Sequence, residues 1–352
     1  MKHKKLSYYS YGSENFPGVM KKIDNTVKAA QNLGLQAEHK AYKSADKYKS
    51  WKAMLSDDAD IIFIRFSFLI QTLLFPIVLI KRLQGKKIII DVPTPRAIAL
   101  NEMRGAQVKN LKIKIVWNYI FSSWILFPAN LIIQYAEESN FFSFGLRSKT
   151  LKMGNGILID DSIKVVKQQK QTNKINLIAV ASIAFWHGYD RLLKAMALAK
   201  KNYPNIDINL IIVGDGELLP ELKQLADQLD LNAKVRFTGA LYGQELEAVY
   251  EGANIGISSL GLFRIGLDEA SVLKTREYIA KGLCVLGAGK DPDFPESSPY
   301  RFLVPNNESI EPIAEMLVKL AQSDLPEPEE VRAYAELHLA FEGKLKKMLA
   351  AV

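Results

Sequence analysis

The chain has 352 residues, 48% of them hydrophobic, with 46 Lys+Arg, 38 Asp+Glu and a single cysteine. That length is about twice the ~150 residues of one domain and points to two separately cored domains, and Cys284 alone excludes a fold held by internal disulfides and fits a reducing cytoplasm. Residues 1 to 150 carry 23 Lys+Arg against 11 Asp+Glu, a net +12, and the remainder 23 against 27, a net −4, so the front half suits an anionic partner such as a phospholipid surface, with solvated lysines the plainer reading.

Leu6 to Tyr11 follows a basic start but is short and polar for a signal peptide and leads to no small-residue cleavage site, so it reads as a first strand. The helical pattern Val19 to Leu33 comes next. Between them, Phe16-Pro17-Gly18-Val19 lets a ligand approach backbone at a helix start, making Gly18 a candidate phosphate contact; a simple turn is the alternative. Ile61 to Ile80 is long enough to span a membrane, yet Arg65 interrupts it; the preferred reading is a buried strand over 61–66, then a hydrophobic helix bent near Pro76.

A further strand, Lys87 to Asp91, leads into Asp91-Val92-Pro93-Thr94-Pro95-Arg96. The prolines stiffen this loop, so Asp91, Thr94 and Arg96 are acceptor-binding candidates presented toward an interdomain space; a rigid connector with a solvated Arg96 is the alternative. Ile113 to Pro128 places Trp117, Tyr119, Phe121 and Trp124 after Lys112 and Lys114, a pattern shared by interfacial helices and by helices buried against a sheet. A strand at Leu131 to Tyr135 follows, then a polar stretch between Asn155 and Lys174 that reads as a linker.

The back half alternates apolar runs (Ile175 to Ala181, Ile208 to Val213, Val235 to Phe237, Ile255 to Ser258, Leu283 to Leu286) with amphipathic segments (Asp190 to Lys201, Glu217 to Leu229, Ser271 to Lys281). Such alternation implies α/β architecture with parallel sheets covered on both faces. The expected domains are 1–165 and 166–325, with 326–352 a carboxy-terminal helix returning to the first domain.

Ligands of open parallel sheets sit beyond the carboxyl ends of the strands, so the loops there hold the candidate site. After Ala181, His187 and Gly188 precede an amphipathic helix whose free amides suit a diphosphate; surface packing by Phe185 and Trp186 is the alternative. Val213-Gly214-Asp215-Gly216-Glu217 lacks dinucleotide spacing, but Gly214 and Gly216 could approach a base or phosphate. After Ser258, a Gly-rich loop bearing Arg264 leads through Glu269 to a helix start with Ser271, Val272, Leu273 and Lys274, and on to Glu277. One carboxylate could face a transferred sugar and the other a ribose, while Lys274 and the amides hold phosphates.

This segment resembles the nucleotide-binding domain of retaining GT-B glycosyltransferases, the Glu-x7-Glu group of glycosyl transferases group 1 found in capsule and exopolysaccharide synthesis. Glu269 and Glu277 match the paired acids, Glu277-Tyr-Ile-Ala-Lys-Gly-Leu-Cys-Val is similar to the group's Glu-Ala-Met-Ala-x-Gly-x-Pro-Val, and Val235-Arg-Phe-Thr-Gly239 to its Val-x-Phe-x-Gly near the base. Where that group has Gly-Arg-Leu and Glu-Lys-Gly, this chain has Ala181-Ser182-Ile183 and Trp186-His187-Gly188, which shifts the phosphate role toward Lys274, Arg264 and backbone amides. The resemblance implies two doubly wound Rossmann-like domains facing across a cleft. It further implies a UDP- or GDP-sugar donor and a glycan or polyprenyl-linked acceptor; the basic front half suggests a peripheral position on the inner membrane face, and with no Asp-x-Asp element apparent the chemistry is expected to need no metal or cofactor.

Competing readings are an NAD-dependent oxidoreductase, which lacks its fingerprint; an exported solute-binding protein, which lacks a leader; and an inactive nucleotide-sugar-binding scaffold. A nucleic-acid partner is not expected, since no recognisable module accompanies the basic half.

Overall fold

The computed structural model describes residues 4–13, 17–43, 46–67, 74–105, 110–137, 146–168 and 171–352. They form two compact units, one of residues 1–158 with 339–352 and the other of residues 159–338. Phe16, in the first candidate turn, lies outside the described residues, as do 68–73 of the long apolar stretch.

The first unit is built on β1 (Lys5–Tyr11), β2 (Gln36–Tyr42), β3 (Ile61–Arg65), β4 (Lys87–Val92), β5 (Leu131–Gln134) and β6 (Thr150–Lys152). All pair in parallel, in the order β2-β1-β3-β4-β5-β6. The period of two sends Leu6, Tyr8, Ile61, Phe63 and Ile89 to one face, where α1 (Pro17–Asn32) and the final helix α12 (Phe341–Ala350) cover them. Tyr9, Ile62, Ile64, Ile88 and Ile90 face the other way, beneath Met54 of α2 (Lys47–Ser56) and Ile77 and Val78 of α3 (Phe75–Leu83). Burial on both faces is why β3 and β4 read as continuous apolar runs. The helices α4 (Arg96–Gly105) and α5 (Leu111–Phe121) follow β4. No helix among the described residues is long and apolar enough to cross a membrane.

The second unit repeats the plan with β7 (Lys174–Val180), β8 (Asp207–Val213), β9 (Val235–Gly239), β10 (Ile255–Ile257), β11 (Cys284–Ala288) and β12 (Arg301–Val304). The order is β12-β11-β10-β7-β8-β9, again all parallel. Its helices are α6 (Tyr189–Asn202), α7 (Leu219–Gln228), α8 (Gly243–Tyr250), α9 (Leu273–Ala280), α10 (Glu311–Gln322) and α11 (Pro328–Tyr334). Strand order reverses between β7 and β10, the switch point beside which open α/β sheets place their ligands.

The last segment is not one helix. It comprises α11, a π turn over Ala335–Leu339, and α12, with extended Ala340 between. At that break Ile157 donates its N–H to Leu339 O at 2.9 Å, and Phe341 donates to Ile157 O at 2.9 Å. Backbone pairing with Ile157 replaces the helical bonds there, and α12 continues onto α1, where Asn32 Nδ2 meets Glu342 Oε1 at 2.9 Å.

Candidate functional site

The loops after β7 and β10 flank the switch point of the second unit and are tied together by backbone. Leu260 N–H donates to His187 O at 2.9 Å and Gly261 N–H to Trp186 O at 3.2 Å. Gly188 has φ +66°, and a Cβ there would lie 2.8 Å from Gly261 N, so the contact between the loops requires glycine.

α9 is aimed at this crevice by its own packing. The Tyr278 ring lies against Gly256 in β10, where a Cβ would meet it at 2.3 Å, and the Tyr278 hydroxyl accepts the Val180 N–H at 2.8 Å. Thr275 and Ser258 share a buried hydroxyl hydrogen bond of 2.9 Å. At its first turn, Val272 supplies no side-chain cap, leaving helix amides that favour an anion.

Lys274 stands on that turn and donates from Nζ to the Tyr189 hydroxyl at 2.9 Å. Burial pushes its ammonium down to about 7. His187, stacked on Tyr189 with centroids 5.4 Å apart, is held neutral: burial, and then the Lys274 charge, push its pKa to about 2. Its Nδ1 accepts the Ala184 N–H at 3.0 Å, which places the ring proton on Nε2 as a donor. Lys274, neutral His187 and the start of α9 therefore form one electropositive, donor-rich corner. Ser271 and Glu269 precede it, with Glu269 in a short parallel bridge to Lys290, and Glu277 follows inside α9; both acids are partly exposed.

A family model for glycosyl transferases group 1 matches residues 160–337, just over half of the chain and nearly all of the second unit. The chain belongs to the glycosyl transferases group 1 family. Its whole length is similar to solved structures in fold. HepE of Anabaena in complex with UDP and glucose superposes with a TM-score of 0.65 at 12% identity, covering 99% of this chain and 100% of that one. The lipopolysaccharide outer core galactosyltransferase WaaB gives 0.66 at 11%, covering 99% and 100%. The sucrose-phosphate synthase of Thermosynechococcus elongatus gives 0.65 at 13%, covering 99% of each chain. These likenesses establish the GT-B fold; a search among curated proteins by sequence finds no match.

Within this glycosyl transferases group 1 chain, several candidate residues have structural work of their own. Arg264 pairs bidentately with Asp190 at 2.8 and 2.9 Å and reaches Glu308 at 3.2 Å, so two carboxylates already occupy its guanidinium. It pins the β7 and β10 loops rather than offering an open cation. Gly214 and Gly216 lie beneath the β7 loop, where Cβ atoms would meet Ala181 O at 1.8 Å and Ile183 O at 2.1 Å; backbone approach explains both glycines. Gly239, at φ +73°, has open space beside Asp215.

Gly18, Asp91, Thr94 and Arg96 belong to the first unit. Gly18 is exposed near the start of α1, with nothing within 4 Å of a Cβ position. Asp91 is not presented by its loop: it is fully buried at the end of β4, accepting from Tyr8 at 2.9 Å, Lys22 at 3.3 Å and Arg65 at 3.4 Å. Burial alone would raise its pKa, but Lys22 and Arg65, with the hydroxyls of Tyr135 and Tyr8, hold it below the usual carboxylate range. Arg96 is buried rather than solvated, over the Tyr119 ring at 4.6 Å, and Thr94 is half-buried. Sequence reasoning missed Arg276, which is buried and paired with Asp291 and Asp293; the Asp-Pro-Asp run at 291–293 was its available signal.

Proposed function

We propose that the chain transfers a sugar from a nucleoside-diphosphate sugar, UDP or GDP linked, to a glycan or lipid-linked acceptor in cell-surface polysaccharide synthesis. The second unit binds the donor and the basic first unit works at the inner membrane surface. The observation that carries the reading is Lys274: an ammonium depressed by burial, on the uncapped start of a helix at the switch point, beside a neutral histidine. It supplies from α9 the cation that the loop at Ala181-Ser182-Ile183 lacks. As the bond from the anomeric carbon to the diphosphate breaks, Lys274, the α9 amides and His187 Nε2–H stabilise the growing charge.

Glu269 and Glu277 are assigned to the transferred sugar and the ribose, in either order, and retention without a covalent carboxylate intermediate or a metal completes the proposal. HepE, described in complex with UDP and with UDP-glucose, supports a UDP-sugar donor. The test is a nucleotide-sugar thermal-shift screen followed by transfer to membrane lipid extracts. Glu269→Gln or Glu277→Gln should lower transfer by about 100-fold or more with the melt unchanged, on the scale of losing one transition-state contact. Nucleotide binding with no transfer by the parent chain under any donor would instead establish the inactive scaffold.

A further inference from the structure

The helix α5 poses a physical contradiction. It is apolar nearly all round, LKIKIVWNYIF, yet Asn118 is its one buried residue and it belongs to neither core of the first unit. Ile113 is 68% exposed, Val116 57% and Ile120 52%, an i, i+3, i+7 stripe turned to solvent. A helix apolar on every side is normally buried by something, and contiguous exposed apolar surface marks an interaction site.

The patch extends beyond one helix. Phe121 meets Trp124 with centroids 5.0 Å apart, and Trp124 meets Phe75 of α3 at 6.2 Å. Trp124, Phe127, Leu79, Ile80 and Leu83 are themselves exposed. Cations accompany them: Lys112 and Arg82 are exposed and Lys114 half-buried on α5 and α3, while Lys52 is exposed on α2, which packs on α3; Lys49 of α2 is already paired with Asp46 at 2.9 Å. None of α2, α3 and α5 carries an Asp or Glu.

We infer that this face is a docking surface for an anionic phospholipid bilayer, α5 lying in the interface with its Ile113-Val116-Ile120 stripe among the acyl chains and its lysines at the headgroups. Exposed aliphatics, aromatics at the margin and lysines free to extend outward are what interfacial helices use. A second copy of this chain fits poorly. A two-fold interface would set Lys112, Lys114 and Arg82 against themselves with no helix carboxylate to pair them.

The inference deepens the membrane-side part of the proposed function and rests on it only for its purpose, since binding is read without donor or acceptor and can fail while sugar transfer stands. The full chain is floated with phosphatidylcholine vesicles and with vesicles carrying roughly 30% phosphatidylglycerol, at about 0.1 and 0.5 M salt. It should bind the anionic vesicles, weaken several-fold at the higher salt and ignore pure phosphatidylcholine. Ile113→Ser with Val116→Ser and Ile120→Ser should reduce binding about tenfold or more without changing the circular-dichroism melt, and Lys112→Glu with Lys114→Glu, at positions that do not build the core, should do likewise. The inference is overturned if the parent chain treats both vesicles alike, if the charge variant binds as the parent does, or if the parent is a dimer that the serine variant makes monomeric.

Discussion

Both units carry charge near the carboxyl ends of their strands, but they dispose of it differently. In the first unit Asp91, Lys22, Arg65, Tyr8 and Tyr135 satisfy one another around a fully buried carboxylate. In the second, Lys274 meets a tyrosine hydroxyl and a neutral histidine, and no carboxylate offsets the burial that depresses its ammonium. A buried charge matched within the protein stabilises one arrangement of the chain. One left without an opposite charge costs stability until an anion arrives, and so points outward to a ligand.

The largest expected effect breaks the matched side. Asp91→Asn would leave Lys22 and Arg65 facing no carboxylate in a buried site, and should lower unfolding free energy by about 3–5 kcal/mol, read by urea denaturation. A loss under about 1 kcal/mol would mean that the cluster is not closed.

Lys274→Met tests the other side and should move two quantities in opposite directions. UDP affinity should fall about 100-fold, roughly 2.7 kcal/mol, by calorimetry. The melt without nucleotide should rise, because an apolar side chain removes the cost of holding a half-buried ammonium with no opposite charge beside it. The sign follows from the depressed pKa. Between about 7 and the ordinary lysine value of 10.5 the unfolded chain holds a proton that the folded chain has released, so Lys274 makes stability rise with pH across that window, and its full cost is present below 7. A variant that loses both affinity and stability would make Lys274 structural.

The same titration couples to the ligand. A bound diphosphate should return the ammonium to its charged form, so UDP binding above pH 7 should take up close to one proton, measured in buffers of different ionisation enthalpy, and affinity should fall by up to about tenfold per pH unit from 7.5 to 9. His187, held near 2, contributes no titration there. Binding that is flat across this range would place the diphosphate away from Lys274.

Much of the architecture is legible because parallel strands buried on both faces announce themselves: Ile61–Arg65, Lys87–Val92 and Asp207–Val213 are apolar runs between helical patterns. Gln36–Tyr42 is not, because at the edge of its sheet it is polar and half-exposed, with no periodic signal. In the site, local spacing displays Glu269, Lys274 and Glu277 on one loop and helix. Partners distant in sequence stay hidden: Asp190 lies 74 positions from Arg264 and Lys22 lies 69 from Asp91, so a cation and an acid that look available alone prove to be spoken for.

The smallest effect separates two glycines that look alike in sequence, each opening a helix after a strand. Gly188 is held at φ +66° against the Gly261 backbone, whereas Gly18 has ordinary φ and open space around its Cβ position. Gly18→Ala should therefore stabilise the first unit by roughly 0.5 kcal/mol, mainly by restricting the unfolded chain, and leave UDP affinity unchanged. If affinity drops while the melt holds, close approach of a phosphate to the α1 backbone becomes the better account of Gly18.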